Sequence, residues 1–238
     1  MTKIKKIVVA IILFIFPSCI ALGLIRLFGC KTGHHCKVGF SWVCCDKIEM
    51  GDQVTIGHLN LIILPYLSLA DNARIKHINA IKGGFDLILD GGATINQFNK
   101  ITNSFEDRST CKLKKGSIIG VKHVLDLTAS FEIGEYSIMA GILSQVWTHA
   151  FYHSITSTNR WRINGDVKIG KNVYIGAGCI INPGITVCDN CTIGAGAVVS
   201  KDIEEPGLYV NQALRFIPFD PDTAILKHHK IADGIYKK

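Results

Sequence analysis

The densest group of side chains able to do chemistry lies between Ser144 and His153, where Trp147, Thr148, His149, Phe151, Tyr152 and His153 crowd together. Imidazole is the group whose ordinary titration range spans neutrality, so a histidine-bearing loop suits proton transfer at an oxygen nucleophile. The aromatic neighbours suit contact with a sugar face or anchoring of the loop in the core. Elsewhere the signals are weaker. Cys188-x-x-Cys191 has no second half to complete a zinc site, and His34, His35, His58, His77, His228 and His229 lack metal-ligand spacing, so no metal is expected. The nine cysteines suit reduced, packed thiols of an intracellular protein better than a disulfide framework.

A rigid scaffold must hold such a loop, and a repeat supplies it. Aliphatic residues recur every six positions at Ile169, Ile175, Ile181, Val187, Ile193 and Val199. Four residues after the first five come Val173, Cys179, Ile185, Cys191 and Ala197, so two of every six side chains point inward. Helices and strands have periods of 3.6 and 2, and neither gives six. A solenoid does: each hexad makes a short strand and a turn, and coils stack at the inter-strand spacing. The same period runs through Thr32, Val38, Cys44, Met50 and Ile56, then through Ile63, Leu69, Ile75 and Ile81. It resumes at Leu89, Ile95 and Ile101, at Leu113, Ile119 and Leu125, and at Ile133 and Met139. The longest interruption, Gly141 to Asp166, contains the histidine loop, and rigidly held loops are where function concentrates.

The 238 residues are 48% hydrophobic and 19% charged, which excludes a mostly disordered, collagen-like or mucin-like chain. Scarce aromatics argue against a nucleic-acid platform, so no nucleic-acid partner is expected. Part of the +7 net charge sits at Lys3, Lys5 and Lys6, ahead of an apolar run from Ile7 to Phe28. That placement points to an anionic membrane surface. Basic residues on both flanks favour both ends on the cytoplasmic side. Pro17 near the middle supplies a bend, so a re-entrant anchor is favoured over a spanning helix. The expected division is an anchor over residues 1–28, a β-helix over 29–217 and a tail over 218–238. Deleting 1–28 is expected to release a soluble domain, and the tail from Asp220 is expected to form a short helix or cap.

The stretches SQVWTHAFYH, VKIGKNVYIGAGCIINPGITV and TIGAGAVVSKDI resemble the hexapeptide-repeat acyltransferases, and best the membrane-associated sugar O-acetyltransferases of polysaccharide synthesis. The resemblance implies a left-handed parallel β-helix, a homotrimer, and acetyl-CoA lying between neighbouring subunits. It implies that His149 is the catalytic base, with His123, Asp126, Trp147 and His153 on the acceptor side. It places Gly176, Ala177, Ala195, Ser200, Lys201 and Arg215 along the donor. The chain departs from the family at Asn211-Gln212-Ala213-Leu214-Arg215, where a Gly-x-Pro segment is common before the basic residue.

The implied activity is acetyl transfer from acetyl-CoA to a sugar hydroxyl of a surface polysaccharide or its lipid-linked precursor, at the cytoplasmic face of the plasma membrane. N-acetylation of an amino sugar is the alternative. A β-helix metal hydratase using His123, His149 and His153 and an inactive scaffold are the remaining classes.

Overall fold

The computed structural model describes residues 1–211, 229–232 and 235–237. Short parallel strands wind into a β-solenoid. One face is a nine-stranded sheet running from Lys37–Val38 through Thr55–Ile56, Arg74–Ile75 and Thr94–Ile95 to Leu208–Tyr209, one strand per turn. The other two faces form one 14-stranded sheet, because the strand Leu61–Leu69 turns a corner. Its first half pairs with Ala80–Lys82 and its second half with Phe85–Leu89.

The inward hexad positions are the core. Ile169, Ile175, Ile181, Val187, Ile193 and Val199 are buried, as are Val173, Cys179, Ile185, Cys191 and Ala197. The upstream positions from Leu89 to Met139 follow the same rule. Of the earlier positions, Val38, Met50, Ile56, Leu69, Ile75 and Ile81 are buried as well, Thr32 and Ile63 are only half-buried, and Cys44 is buried outside the shared core. In the long strands Trp42–Met50 and Leu61–Leu69 the inward residues are instead Val43, Cys45, Ile48 and Met50, and Ile62, Leu64, Leu67 and Leu69. A strand that bends around a corner changes which alternate side chains face inward.

A second column crosses the coils beside the aliphatic core. Asn79 and Asn99 donate their backbone N–H groups to the Oδ1 atoms of Asn60 and Asn79, each at 2.9 Å. His123 N–H donates to Asn99 Oδ1 at 2.8 Å, and Ser144 N–H to His123 Nδ1 at 3.0 Å. Leu59, Ile78, Phe98, Lys122 and Leu143, the residues just before the ladder members, all have φ between 56° and 65°. Bulky residues are costly in this region. The buried side chains satisfy the backbone groups that such corners turn inward.

The N-terminal segment forms two helices, α1 (Lys3–Ile15) and α2 (Ser18–Arg26), broken at Phe16 and Pro17. No helix among the described residues is long and apolar enough to cross a membrane. The hairpin covers the first coil. Among the described residues, the strand Trp42–Met50 is paired on its leading side only through Glu49–Met50, and α1 packs against it. Ser18 Oγ donates to Val38 O at 2.8 Å and accepts from Val38 N–H at 2.9 Å, closing another exposed edge. Val9, Leu13, Ala21, Leu22 and Ile25 join the solenoid's own hydrophobic core. Lys6 pairs with Asp46 at 2.8 Å, which leaves Lys3 and Lys5 as the exposed cations of α1.

At the other end, the tail was expected as a helix or cap. Its described residues are instead two antiparallel strands, His229–Ala232 and Ile235–Lys237.

Candidate functional site

The expected interruption at Gly141 is narrower than the sequence suggested. Gln145–Trp147 still completes a coil, stacking in register between Val124–Asp126 and Ile180–Ile181. The chain leaves the solenoid only after Thr148, as an antiparallel hairpin of His149–His153 with Arg160–Asn164. Gly165 N–H donates to Thr148 O at 2.9 Å and closes its base. Arg162 Nη2 to Asp107 Oδ1, at 2.8 Å, ties one arm to a neighbouring loop.

His149 stands where the hairpin departs. Its Nδ1 lies 2.8 Å from Asp126 Oδ1 and 3.0 Å from Thr128 Oγ1. The Thr128 hydroxyl donates to the same carboxylate oxygen at 2.9 Å. An ionised carboxylate only accepts, so the arrangement puts the neutral ring's proton on Nδ1 and leaves the Nε2 lone pair free. Thr148, fully buried, holds the base still: its hydroxyl donates to Asp126 O and accepts from Ala129 N–H, both at 2.9 Å. The rings of Trp147 and Phe151 present their edges to His149 at 6.5 and 5.5 Å. Trp147 Nε1 donates to Gln145 Oε1 at 3.0 Å, which fixes the indole on the wall beside the imidazole.

The expected acceptor-side residues separate into three groups. Asp126 and Trp147 are at His149. His153 stands four residues farther out along the hairpin, opposite Arg160, roughly 13 Å away at the usual strand rise. His123 is fully buried, and its Nε2–H donates to Met139 O at 3.2 Å. That ring is a rung of the polar ladder, unable to meet an acceptor. Burial pushes its pKa down, against the opposing pull of its hydrogen bonds to Met139 and Ser144.

On the donor side, the Gly176 N–H is engaged with Ile193 O at 2.8 Å, so it has no free proton to offer an oxyanion. Among the described residues, the N–H groups of Ala177 and Ala195 have no hydrogen-bond partner. Gly141, at φ 67°, packs against Ala177, and a Cβ there would collide with it. Extending the register of Val146, Ile181 and Val199 by one residue aligns Trp147, Asn182 and Ser200. Ser200 and Lys201 therefore lie at the corner of His149, lining a cavity of about 260 Å³ with Val210 and Asn211. Ala177 and Ala195 lie at the other end of the same face. At about 3.3 Å per residue, that is roughly 15 Å away. Arg215 lies outside the described residues.

The family described as bacterial transferase hexapeptide (six repeats) matches residues 166–201, within these coils. The hexad core and the stacked parallel coils fit that repeat. A stretch of 77 residues of this hexapeptide-repeat chain is 39% identical to a galactoside O-acetyltransferase of Escherichia coli, covering 30% of this chain and 35% of that one. A chloramphenicol acetyltransferase of Agrobacterium fabrum is 42% identical over 64 residues, 26% of this chain and 31% of that one. The aligned stretches thus span about a third of these relatives' own length. A Bacillus cereus N-acyltransferase, solved with dTDP-4-amino-4,6-dideoxyglucose and Coenzyme A, superimposes with a TM-score of 0.50. At 16% identity, over 68% of this chain and 87% of that one, the likeness is one of fold.

Sequence reasoning missed Thr128 and the pairing of Asp126 with His149. The signal was available in the coil register, since Leu125 and Val146 are stacked core residues and Asp126 and Trp147 follow them.

Proposed function

We propose that the protein transfers an acetyl group from acetyl-CoA to a sugar hydroxyl of a surface polysaccharide or its lipid-linked precursor, with His149 as general base. The observation that carries this reading is the 2.8 Å contact of His149 Nδ1 with Asp126, which leaves Nε2 free beside an aromatic wall. The acceptor hydroxyl gives its proton to Nε2 as its oxygen attacks the thioester carbon. The tetrahedral oxyanion then collapses, the carbon–sulfur bond breaks, and the imidazolium returns the proton to the departing thiolate. Asp126 holds the ring in its reactive tautomer and stabilises the transient cation. Ala177 N–H, unpaired, is the candidate oxyanion donor in place of Gly176.

Ala177 and His149 sit at opposite ends of one face, so the reading requires a second copy to bring an alanine corner to a histidine corner. A left-handed coil and a homotrimer meet that requirement. Exposed Leu59, Ile78, Phe98 and Leu143 along the alanine corner favour such an assembly. The apolar outer surface of the α1–α2 hairpin supports attachment to the cytoplasmic face of the plasma membrane, where a lipid-linked acceptor would be presented. The test is thiol release from acetyl-CoA across candidate glycans. His149→Ala is expected to lower turnover about 10²–10⁴-fold with acetyl-CoA binding retained. Turnover near that of the unaltered enzyme removes His149 from the mechanism.

A further inference from the structure

The hairpin that caps the solenoid has a second surface. Leu27 is 82% exposed, Ile4 75%, Ile15 59% and Ile20 48%, and Phe14 and Phe16 stand beside them. Next to the break at Phe16, Pro17 and Ser18 opens a cavity of about 660 Å³, whose far wall is the start of the nine-stranded face. Its charged lining is Lys37, Arg74 and Lys76, joined by His58 and His77, and among the described residues it contains no Asp or Glu. Lys37 and Arg74 flank Thr55 in register on adjacent strands, roughly 10 Å apart at their backbones. Among the described residues none of the three cations pairs with a carboxylate. The groove near Lys114 and Lys171 is different, because Glu132, Glu135 and Asp189 line it too.

The two histidines add donors. Phe40 N–H donates to His58 Nδ1 at 3.1 Å, and His58 N–H to His77 Nδ1 at 3.0 Å. Each neutral ring therefore carries its proton on Nε2, as a further N–H donor. The cavity thus offers cations and N–H donors from one wall and apolar aromatic surface from the hairpin. A phosphate monoester or diester matches the first, and acyl chains match the second.

We propose that this groove binds the phosphate-bearing headgroup of an anionic phospholipid in the bilayer on which the hairpin rests. The inference builds on the membrane attachment proposed above and adds a specific lipid site to it. The site sets the angle of the solenoid to the membrane, because Ser18 fastens the helix break directly to Val38 at the groove's edge.

Flotation of the full chain with vesicles of phosphatidylcholine, or of phosphatidylcholine containing about one third phosphatidylglycerol, tests it. The unaltered protein is expected to prefer the anionic vesicles. The variant Lys37→Gln/Arg74→Gln/Lys76→Gln is expected to lose on the order of 100-fold in affinity for them, while its melting temperature and partition onto phosphatidylcholine stay unchanged. A control, Lys100→Gln/Lys115→Gln/Lys168→Gln, removes the same charge from exposed positions elsewhere. Equal weakening by both variants means diffuse attraction and overturns the site. Equal flotation of the unaltered protein on both vesicles also overturns it, while leaving membrane attachment intact. Flotation on neither overturns the attachment itself. Groove-dependent thermal stabilisation by micromolar glycerol phosphate, without vesicles, overturns the lipid assignment in favour of a soluble phosphate.

Discussion

His149 Nδ1 and Asp126 Oδ1, on neighbouring coils, meet at 2.8 Å, with the Thr128 hydroxyl within hydrogen-bond reach of both. The contact decides which ring nitrogen is free, so it links the register of the coils directly to the chemistry proposed for the site.

Asp126→Asn keeps the shape but offers an amide in place of a carboxylate. Its Nδ2 would force His149 toward the opposite tautomer, with the proton on Nε2 where the base should be. Turnover is expected to fall about 10²-fold or more, within the range for a general base, while the KM for acetyl-CoA stays within about twofold. Steady-state kinetics with the two substrates varied separately check this. An unchanged turnover means that Asp126 does not orient the base.

His123 offers a test of the ladder through pH. The folded protein holds its pKa below the ordinary value of 6.5, chiefly by burial, so the proton binds the unfolded chain more strongly. This contribution to stability is whole above about pH 6.5 and is lost as the pH falls below it. His123→Asn keeps the rung in the form used at Asn60, Asn79 and Asn99 and removes the titration. Thermal melts between pH 7 and pH 5 are expected to show a smaller decline for the variant than for the unaltered protein.

The coil core was legible in the sequence because hexad spacing needs only an inward aliphatic residue, and from Ile169 to Val199 no insertion disturbs it. The ladder was not. Its rungs are separated by 19, 20, 24 and 21 residues, and the rung side chain changes from amide at Asn60, Asn79 and Asn99 to imidazole at His123 and hydroxyl at Ser144. His123 therefore looked like a chemical residue when it is a packing one. The hairpin's inner face was hidden for a related reason. An apolar run such as Ile7 to Phe28 has the same composition whether one side meets lipid or a protein core.

Asn79→Ala isolates the energy of one rung. It removes the acceptor of Asn99 N–H, which is buried, and the Nδ2 donor to Asn60 Oδ1. An orphaned buried donor costs about 1–3 kcal/mol. Urea unfolding is expected to show a loss of that size with an unchanged slope. A loss below about 0.5 kcal/mol, the level of a surface change, would mean that the corners hold without the ladder.

The two faces of α1 should respond to different measurements. Leu13 is in the shared core at 1% exposure, so Leu13→Ala is expected to cost about 2–5 kcal/mol in urea unfolding. Ile15, on the outer surface, makes no such contribution, and Ile15→Ser is expected to stay within about 0.5 kcal/mol. Its effect should appear on vesicles, because burying an isoleucine in an apolar phase is worth about 1.5–3 kcal/mol, roughly tenfold or more in partition. The same division changes the outcome of truncation. Removing residues 1–28 strips Val9, Leu13, Ala21, Leu22 and Ile25 from the core and uncovers the leading edge of Trp42–Met50. The shortened chain is expected to aggregate, where a detachable anchor would have left a soluble domain. A monodisperse, cooperatively melting product of that truncation would show that the solenoid closes its own first coil and that the hairpin serves the membrane alone.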